Sequence, residues 1–278
     1  MTQFRPTSFD VLPVVIKNLL IINGLVFLAQ NTLVGPMQFF SFDDVFALHA
    51  LQSDLFQPWQ LVTHMFMHGD FGHILGNMLA LWMFGAVLEN VWGPKRFLIF
   101  YTVCGLGAAV IHLGILSYEL MPLTNQYEQL LSLSKTNIPA FNEAIVRFAN
   151  EHNFPLTSIL NENNITLATP GLSGELMELV KAYYDKSINT ATVGASGAVF
   201  GILIAFVYLF PNTYIYIYFL FPIKAKWLGL LYFSYELFFA LKNSAGDNVA
   251  RWAHVGGAVV GFILVYIWNK KMRNRRWN

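Results

Sequence analysis

The chain has 278 residues, 55% of them apolar and 12% charged, with a formal net charge of +1 and a mean hydropathy of +0.48. A soluble domain carries about 25% charged residues, so this composition excludes an ordinary water-soluble globule and points to a protein built from membrane-spanning helices. Near-zero net charge says nothing about partners, and the single cysteine, Cys104, sits in an apolar run, cannot form an intrachain disulfide and reads as packing.

In chain order, residues 1–13 are expected to form a cytoplasmic N-terminal segment without a cleavable signal sequence. A first span follows over 14–34, with Lys17 near its start able to snorkel to the headgroups. Residues 35–67 mix Pro36, Asp43, Asp44, His49, Asp54, Pro58 and Trp59 with many aromatics. That stretch is too polar to span and too apolar to float free, and reads as a loop lying partly in the membrane surface. The second span covers 71–91 and ends at the turn Trp92-Gly93-Pro94-Lys95-Arg96; the third covers 97–116. A polar insert then occupies 118–189, with eight acidic residues against four basic ones. Positively charged loops stay on the cytoplasmic side, so the insert is expected outside. Within it, residues 138–150 and 172–184 have the apolar spacing of amphipathic helices.

The fourth span covers 196–210 and stops at Pro211-Asn212. Residues 214–221 are aromatic and alternating, and either extend a helix or lie at the interface. Lys224 and Lys226 place the next loop in the cytoplasm. The fifth span covers 227–241, a short external loop covers 242–251, and the sixth span covers 253–268. A basic tail, 269–278, holds Lys270, Lys271, Arg273, Arg275 and Arg276. One short tail on a membrane helix is a cytoplasmic topology signal and a poor nucleic-acid surface, so no nucleic-acid partner is expected. The reading is an all-α polytopic membrane protein, a six-helix bundle over 14–268 with both termini cytoplasmic and the long insert external, expected in a bacterial plasma (inner) membrane.

Three of these spans carry polar groups at one height. A helix rises 1.5 Å per residue, so Ser196 to Pro211, His254 to Lys270 and Asn77 to Trp92 each cover roughly 22–24 Å. Measured from a common cytoplasmic floor, Ser196, His254 and Asn77 reach one level inside a hydrocarbon core about 30 Å thick. Polar groups at that depth are costly unless they serve one another or face water. A serine needs a base to become a nucleophile, and His254 can be that base. Small residues Gly256, Gly257 and Gly261 on the last span and Gly197 and Gly201 on the fourth allow close backbone packing. Ser196 opens its helix, where free N–H groups and the positive dipole end can stabilise an oxyanion. His73 and Asn77, four residues apart, share a helical face and can donate to the same charge. No carboxylate is clearly placed to orient His254, so a dyad is expected.

These residues also carry a family resemblance. The run from Trp59 to His68 (Trp-Gln-Leu-Val-Thr-His-Met-Phe-Met-His), then His73 and Asn77, then Gly194-Ala-Ser-Gly197, then Ala253-His254 with Gly257 and Gly261 together resemble the rhomboid intramembrane serine proteases. Glu89 and the stretch from Pro222 to Trp227 also look similar. The resemblance implies Ser196 as nucleophile, His254 as general base, and His73, Asn77 and the Ser196 amide as the oxyanion hole. It implies that His68 supports the loop above the site, and that substrates are single-span membrane proteins cut near the outer face after a small residue. It implies no metal and no organic cofactor, and a gate formed by the fifth span and the 242–251 loop. Three departures stand out. Gln60 replaces the arginine common after Trp59, losing a snorkelling charge. Phe200 replaces a tyrosine that stacks on the base, keeping the ring. The 118–189 insert is additional, and could cover the site, select substrates or bind a partner protein.

Other polar residues have blander readings. His64, His68, His73 and Asp70 do not follow the zinc-protease spacing. His49, His112 and His152 have no evident site. Trp59, Trp92, Trp227 and Trp268 read as interface anchors. Glu236, in the fifth span, reads as a structural hydrogen bond or a gating group, and Glu89 as a tie from the second span to a cytoplasmic loop. Two other functions compete with the protease: a catalytically silent membrane-protein binding or chaperone module, and a small-solute transporter. The first would normally have lost Ser196 or His254; the second would show mirrored halves, and none is found.

Overall fold

In chain order, the computed structural model contains α1 (Val14–Thr32), α2 (Phe42–Phe46), α3 (Gln60–Thr63) with a 3₁₀ turn His64–Phe66, and α4 (Phe71–Ala80). A π-helical segment, Leu81–Gly85, leads into α5 (Ala86–Trp92). Then come α6 (Pro94–Thr136), α7 (Ile138–His152), α8 (Leu156–Glu162), α9 (Leu172–Ile188), α10 (Ser196–Leu209), β1 (Tyr214–Ile217), β2 (Phe221–Lys224), α11 (Ala225–Lys242) and α12 (Arg251–Asn274). The structure describes residues 9–33, 41–217, 221–242 and 250–274. The start of the N-terminal segment, part of the surface loop, most of the proposed gating loop at 242–251 and the end of the basic tail lie outside the described residues.

Among the described residues, four helices are long and apolar enough to cross a membrane: Val14–Thr32, Phe71–Trp92, Pro94–Thr136 and Arg251–Lys270. The helix Ser196–Leu209 is apolar but only 14 residues long. The 18-residue α11 carries Lys226, Glu236 and Lys242. The protein is therefore an integral membrane protein, largely helical.

Two local expectations change. Residues 214–217 and Phe221 do not extend a helix: β1 and β2 pair antiparallel, Tyr214 opposite Lys224 and Ile217 opposite Phe221. Alternating aromatic and β-branched residues favour a pleated pair over a helix. The third span also does not stop where its hydropathy falls. The helix continues to Thr136, with Pro122 inside it. Hydropathy reports the preference for lipid, whereas helix persistence depends on backbone hydrogen bonds and propensity, which residues 117–136 retain.

The chain divides into two compact units. The first comprises Met1–His49, Phe56–Ile115 and Ala191–Asn278. Its core gathers Ile16, Leu81, Leu88, Phe97, Phe100, Tyr101, Cys104, Ala198 and Ile202. α10 is buried along almost its whole length, as expected of a helix apolar all round. It meets α12 backbone to backbone. A Cβ on Gly257 would sit 1.9 Å from the Gly197 carbonyl oxygen, and one on Gly261 would sit 2.6 Å from the Gly201 Cα. No side chain fits either crossing.

Several buried polar residues in this unit hold backbone. Glu89 accepts from the Val15 N–H through Oε1 and the Ile16 N–H through Oε2, both at 2.9 Å. Its tie is thus to the N-terminus of α1 and not to a loop. Pro13 caps that helix with no side-chain bond, so the carboxylate satisfies two orphan donors and meets the positive dipole end. Gln60, which brings no charge to the surface loop, has a structural role there. It is fully buried, accepting from the His49 N–H at 3.3 Å and donating to the Asp44 and Val45 carbonyls at 3.2 and 3.4 Å. An amide can donate and accept at once and closes the surface loop on itself; a snorkelling arginine has no acceptor for the His49 N–H.

The second unit comprises Ala50–Leu55 and Leu116–Thr190. α7 and α9 cover the two stretches with amphipathic spacing, and residues 116–136 of α6 pack with them around Leu130, Phe141, Ile145, Phe148, Leu176 and Val180. Tyr127 and Tyr184 stack at 4.2 Å with rings 2° from parallel. Asn137 caps α7 by accepting from the Ala140 N–H at 3.2 Å. His152 Nε2–H donates to Gln126 Oε1 at 2.8 Å, and burial lowers the pKa of the ring below the ordinary histidine value.

Two stability outcomes are expected. Glu89→Ala removes two charge-assisted bonds in the interior and should cost about 2–3 kcal/mol, read as a lower thermal unfolding midpoint in detergent. Gly257→Ala forces a methyl into the Gly197 backbone and should cost ~3 kcal/mol, whereas Gly174→Ala, in the first turn of α9 where a Cβ meets open space, should hold or slightly raise the midpoint.

Candidate active site

The turn before α10 is pinned to the surface loop at two points. Leu48 and Thr192 exchange backbone bonds at 2.9 and 2.8 Å, and the Gly194 N–H donates to the His64 carbonyl at 2.9 Å. His64 is itself fixed, its Nδ1 bonded to the Gln60 carbonyl at 2.7 Å. Burial pushes its pKa down to about 4, so the ring is neutral at pH 7 and Nδ1–H is the donor. Gly194 has φ +126°, in the region that favours glycine, and a Cβ there would lie 2.8 Å from His73 Nε2 and 3.6 Å from Ser196 Oγ. The same bare backbone therefore adopts the turn and lets His73 approach the serine.

Ser196 is the first residue of α10, where backbone N–H groups have no intrahelical acceptor. Its Oγ lies 2.8 Å from His254 Nε2. That distance follows from the glycine crossing of α10 and α12. The His254 ring lies flat on Phe200, 4.4 Å away and 12° from parallel, and Tyr232 of α11 lies 4.9 Å from Phe200 on a tilted plane. A phenyl ring is enough for this stack.

His73 and Asn77 come from α4, which Asp70 caps by accepting the His73 N–H at 2.8 Å. The Gly69 N–H donates to His73 Nδ1 at 3.4 Å. With Nδ1 an acceptor, the neutral ring carries its proton on Nε2, the atom facing Gly194. Asn77 is buried, and its Nδ2 amide has no hydrogen-bond partner among the described residues. His68 lies edge-on to His73, with ring centroids 5.1 Å apart. Its backbone is held by Gln30, which accepts from the His68 N–H at 3.1 Å and donates to its carbonyl at 3.4 Å.

Two residues without an assigned site in the sequence join this group. His112 bonds Thr192 Oγ1 through Nε2 at 3.0 Å and lines a small cavity with His64, Thr192, Gly194, Ser196 and Ala253. Glu236 corrects the expectation that no carboxylate orients His254: its Oε2 lies 3.0 Å from His254 Nδ1, and Arg251 Nη1 lies 3.3 Å from the same oxygen. Nothing in the spacing of residues 236 and 254 could reveal this, because they sit on different helices, α11 and α12. The only signal was an ionisable residue within a span, which is a site hypothesis by default.

A family model described as the rhomboid domain matches residues 55–122 and 163–271, more than half of the chain. The chain is 28% identical over 204 residues to a mitochondrial RHOMBOID-like protein 12 of Arabidopsis thaliana, covering 73% of this chain and 44% of that protein. It is 26% identical over 276 residues to an uncharacterized mitochondrial rhomboid protein of Schizosaccharomyces pombe, covering 90% and 64%. It is 35% identical over 52 residues to the rhomboid protease GluP of Bacillus subtilis, covering 19% and 10%. The chain thus spans roughly half to two thirds of the length of the first two relatives. The matched segments hold His64, His68, His73, Asn77, Ser196 and His254 together, and the chain belongs to the rhomboid family.

Proposed function

We propose that this protein is an intramembrane serine endopeptidase that cleaves transmembrane protein substrates near the external membrane face. The observation that carries the proposal is the 2.8 Å approach of His254 Nε2 to Ser196 Oγ, inside a chain of the rhomboid family. That distance is within the reach a general base needs. It also argues against a catalytically silent binding module, which has no use for a serine hydroxyl held against an imidazole.

In the proposed reaction, Ser196 Oγ attacks the scissile carbonyl while His254 Nε2 takes its proton. The carbonyl oxygen becomes an oxyanion beside the Ser196 N–H, the Asn77 amide and His73 Nε2–H. The unpartnered Asn77 Nδ2 and the His73 tautomer set by Gly69 support that role. His254 then passes the proton to the leaving amine, and water hydrolyses the acyl-enzyme with His254 again as base. Carbonyls in a helix are already bonded and shielded, so the substrate segment must unwind before attack. The chemistry uses side chains and backbone alone.

The proposed topology has six spans, adding α10 and α11 to the four long apolar helices, with both termini, Lys95, Arg96, Lys224 and Lys226 on the cytoplasmic side. The acidic composition of the insert supports an external position for 118–189.

Incubation of the detergent-purified protein with a fluorophosphonate probe tests the reading. Wild type should label, and Ser196→Ala and His254→Ala should not; a folded wild type that neither labels nor cuts a single-span substrate would overturn it. Asn77→Ala should still label but cut with a kcat lower by about 10²–10³ and an almost unchanged KM.

A further inference from the structure

The carboxylate beside His254 has neighbours that aim it. Glu236 is 3% exposed and lies on the face of α11 that also carries Tyr232, Tyr235 and Phe239. Tyr232 packs on Phe200, which packs on His254. Arg251 opens α12, its guanidinium 5.4 Å from the Tyr235 ring centre and 5.0 Å from that of Phe239, and it reaches the Glu236 Oε2 that faces His254 Nδ1. One oxygen therefore meets a guanidinium and an imidazole at once. Arg251 is always charged and pairs with Glu236 from the first turn of α12, which fixes where that oxygen points.

We propose that Glu236 is a positioning residue for the reaction, the third member of a Ser196–His254–Glu236 relay geometry in which Arg251 holds the carboxylate. This deepens the protease reading and rests on it. An ionised carboxylate can only accept hydrogen bonds. Its contact with His254 therefore keeps the neutral imidazole in the Nδ1–H form, leaving Nε2 as the lone pair that receives the Ser196 proton. The same carboxylate faces the imidazolium that exists between proton uptake and proton delivery and stabilises it without taking the proton itself. α11 thus contributes to the chemistry as well as to packing, from a helix that holds neither the nucleophile nor the base.

The test measures kinact and KI for a fluorophosphonate probe in wild type, Glu236→Gln, Glu236→Asp and Ser196→Ala, with ¹⁵N NMR of the His254 ring in the first three. The Gln amide can donate to Nδ1 and stabilise the opposite tautomer. Glu236→Gln should lower kinact by about 10²–10⁴-fold, leave KI within about threefold, and move the His254 proton from Nδ1 to Nε2. Glu236→Asp should recover part of the loss and keep the proton on Nδ1. A Gln variant that labels within about threefold of wild type, with its tautomer unchanged, overturns the inference. So does a loss that Asp fails to rescue when the tautomer is unchanged, since that reports packing alone. Should the Gln variant fail to fold, the wild-type ring decides: a proton on Nε2 overturns the inference, one on Nδ1 supports it. A wild type that does not label overturns the hydrolase reading instead, and the ring tautomer still tests the Glu236 pairing separately.

Discussion

The interior of this protein depends on a backbone-to-backbone crossing. α10 and α12 touch through Gly197 and Gly257 and again through Gly201 and Gly261, at distances that leave no space for a single methyl group. Water supplies no hydrophobic force between helices in lipid, so close packing of small residues is what holds such a pair. The consequence is chemical. Ser196 lies next to Gly197 and His254 three residues before Gly257, so the approach of the two backbones carries the hydroxyl and the imidazole to hydrogen-bonding distance. A larger residue at either crossing would separate those groups even if both remained.

A second constraint is the cost of polar groups where water is scarce. Several of those buried in the first unit are occupied with backbone. Glu89 satisfies two N–H groups of α1, Gln60 bridges three backbone groups of the surface loop, and His64 holds the Gln60 carbonyl while its own carbonyl receives Gly194. Asn77 differs. Its carboxamide nitrogen is buried with no partner among the described residues, as are both ring nitrogens of His68. Occupied groups of this kind fix the scaffold; a buried donor left over is where an incoming acceptor gains most.

The helical membrane class, the turn residues and the family were legible in the sequence because each rests on local chemistry. Long apolar runs interrupted by charged turns mark helices, the Gly194–Gly197 turn marks a helix start, and the 3.6-residue period puts His73 and Asn77 on one face. Counting residues along helices also brought Ser196 and His254 to one level, and the two are in contact. The pairing of β1 with β2 is not legible there, because a run of five aromatics among eight apolar residues after a span also fits a helix extension or an interfacial segment until pairing is known. The length of α6 was missed for a related reason, since hydropathy ends before the helix does.

Which residues are chemically possible, and at what depth, is thus set by the chain's own order of apolar and polar residues. Which of them meet is set by packing between elements far apart in sequence. Glu236 is the clearest case. Along the chain it is a lone carboxylate in a span with no partner at helical spacing, and only the docking of α11 against α12 gives it His254 and Arg251. His112 and Gln60 likewise take their roles from α6 and the surface loop folding against Thr192 and His49. Local periodicity is a property of one segment and can be read from it. A contact between two helices depends on the relative placement of both, and that is decided only when the whole bundle closes.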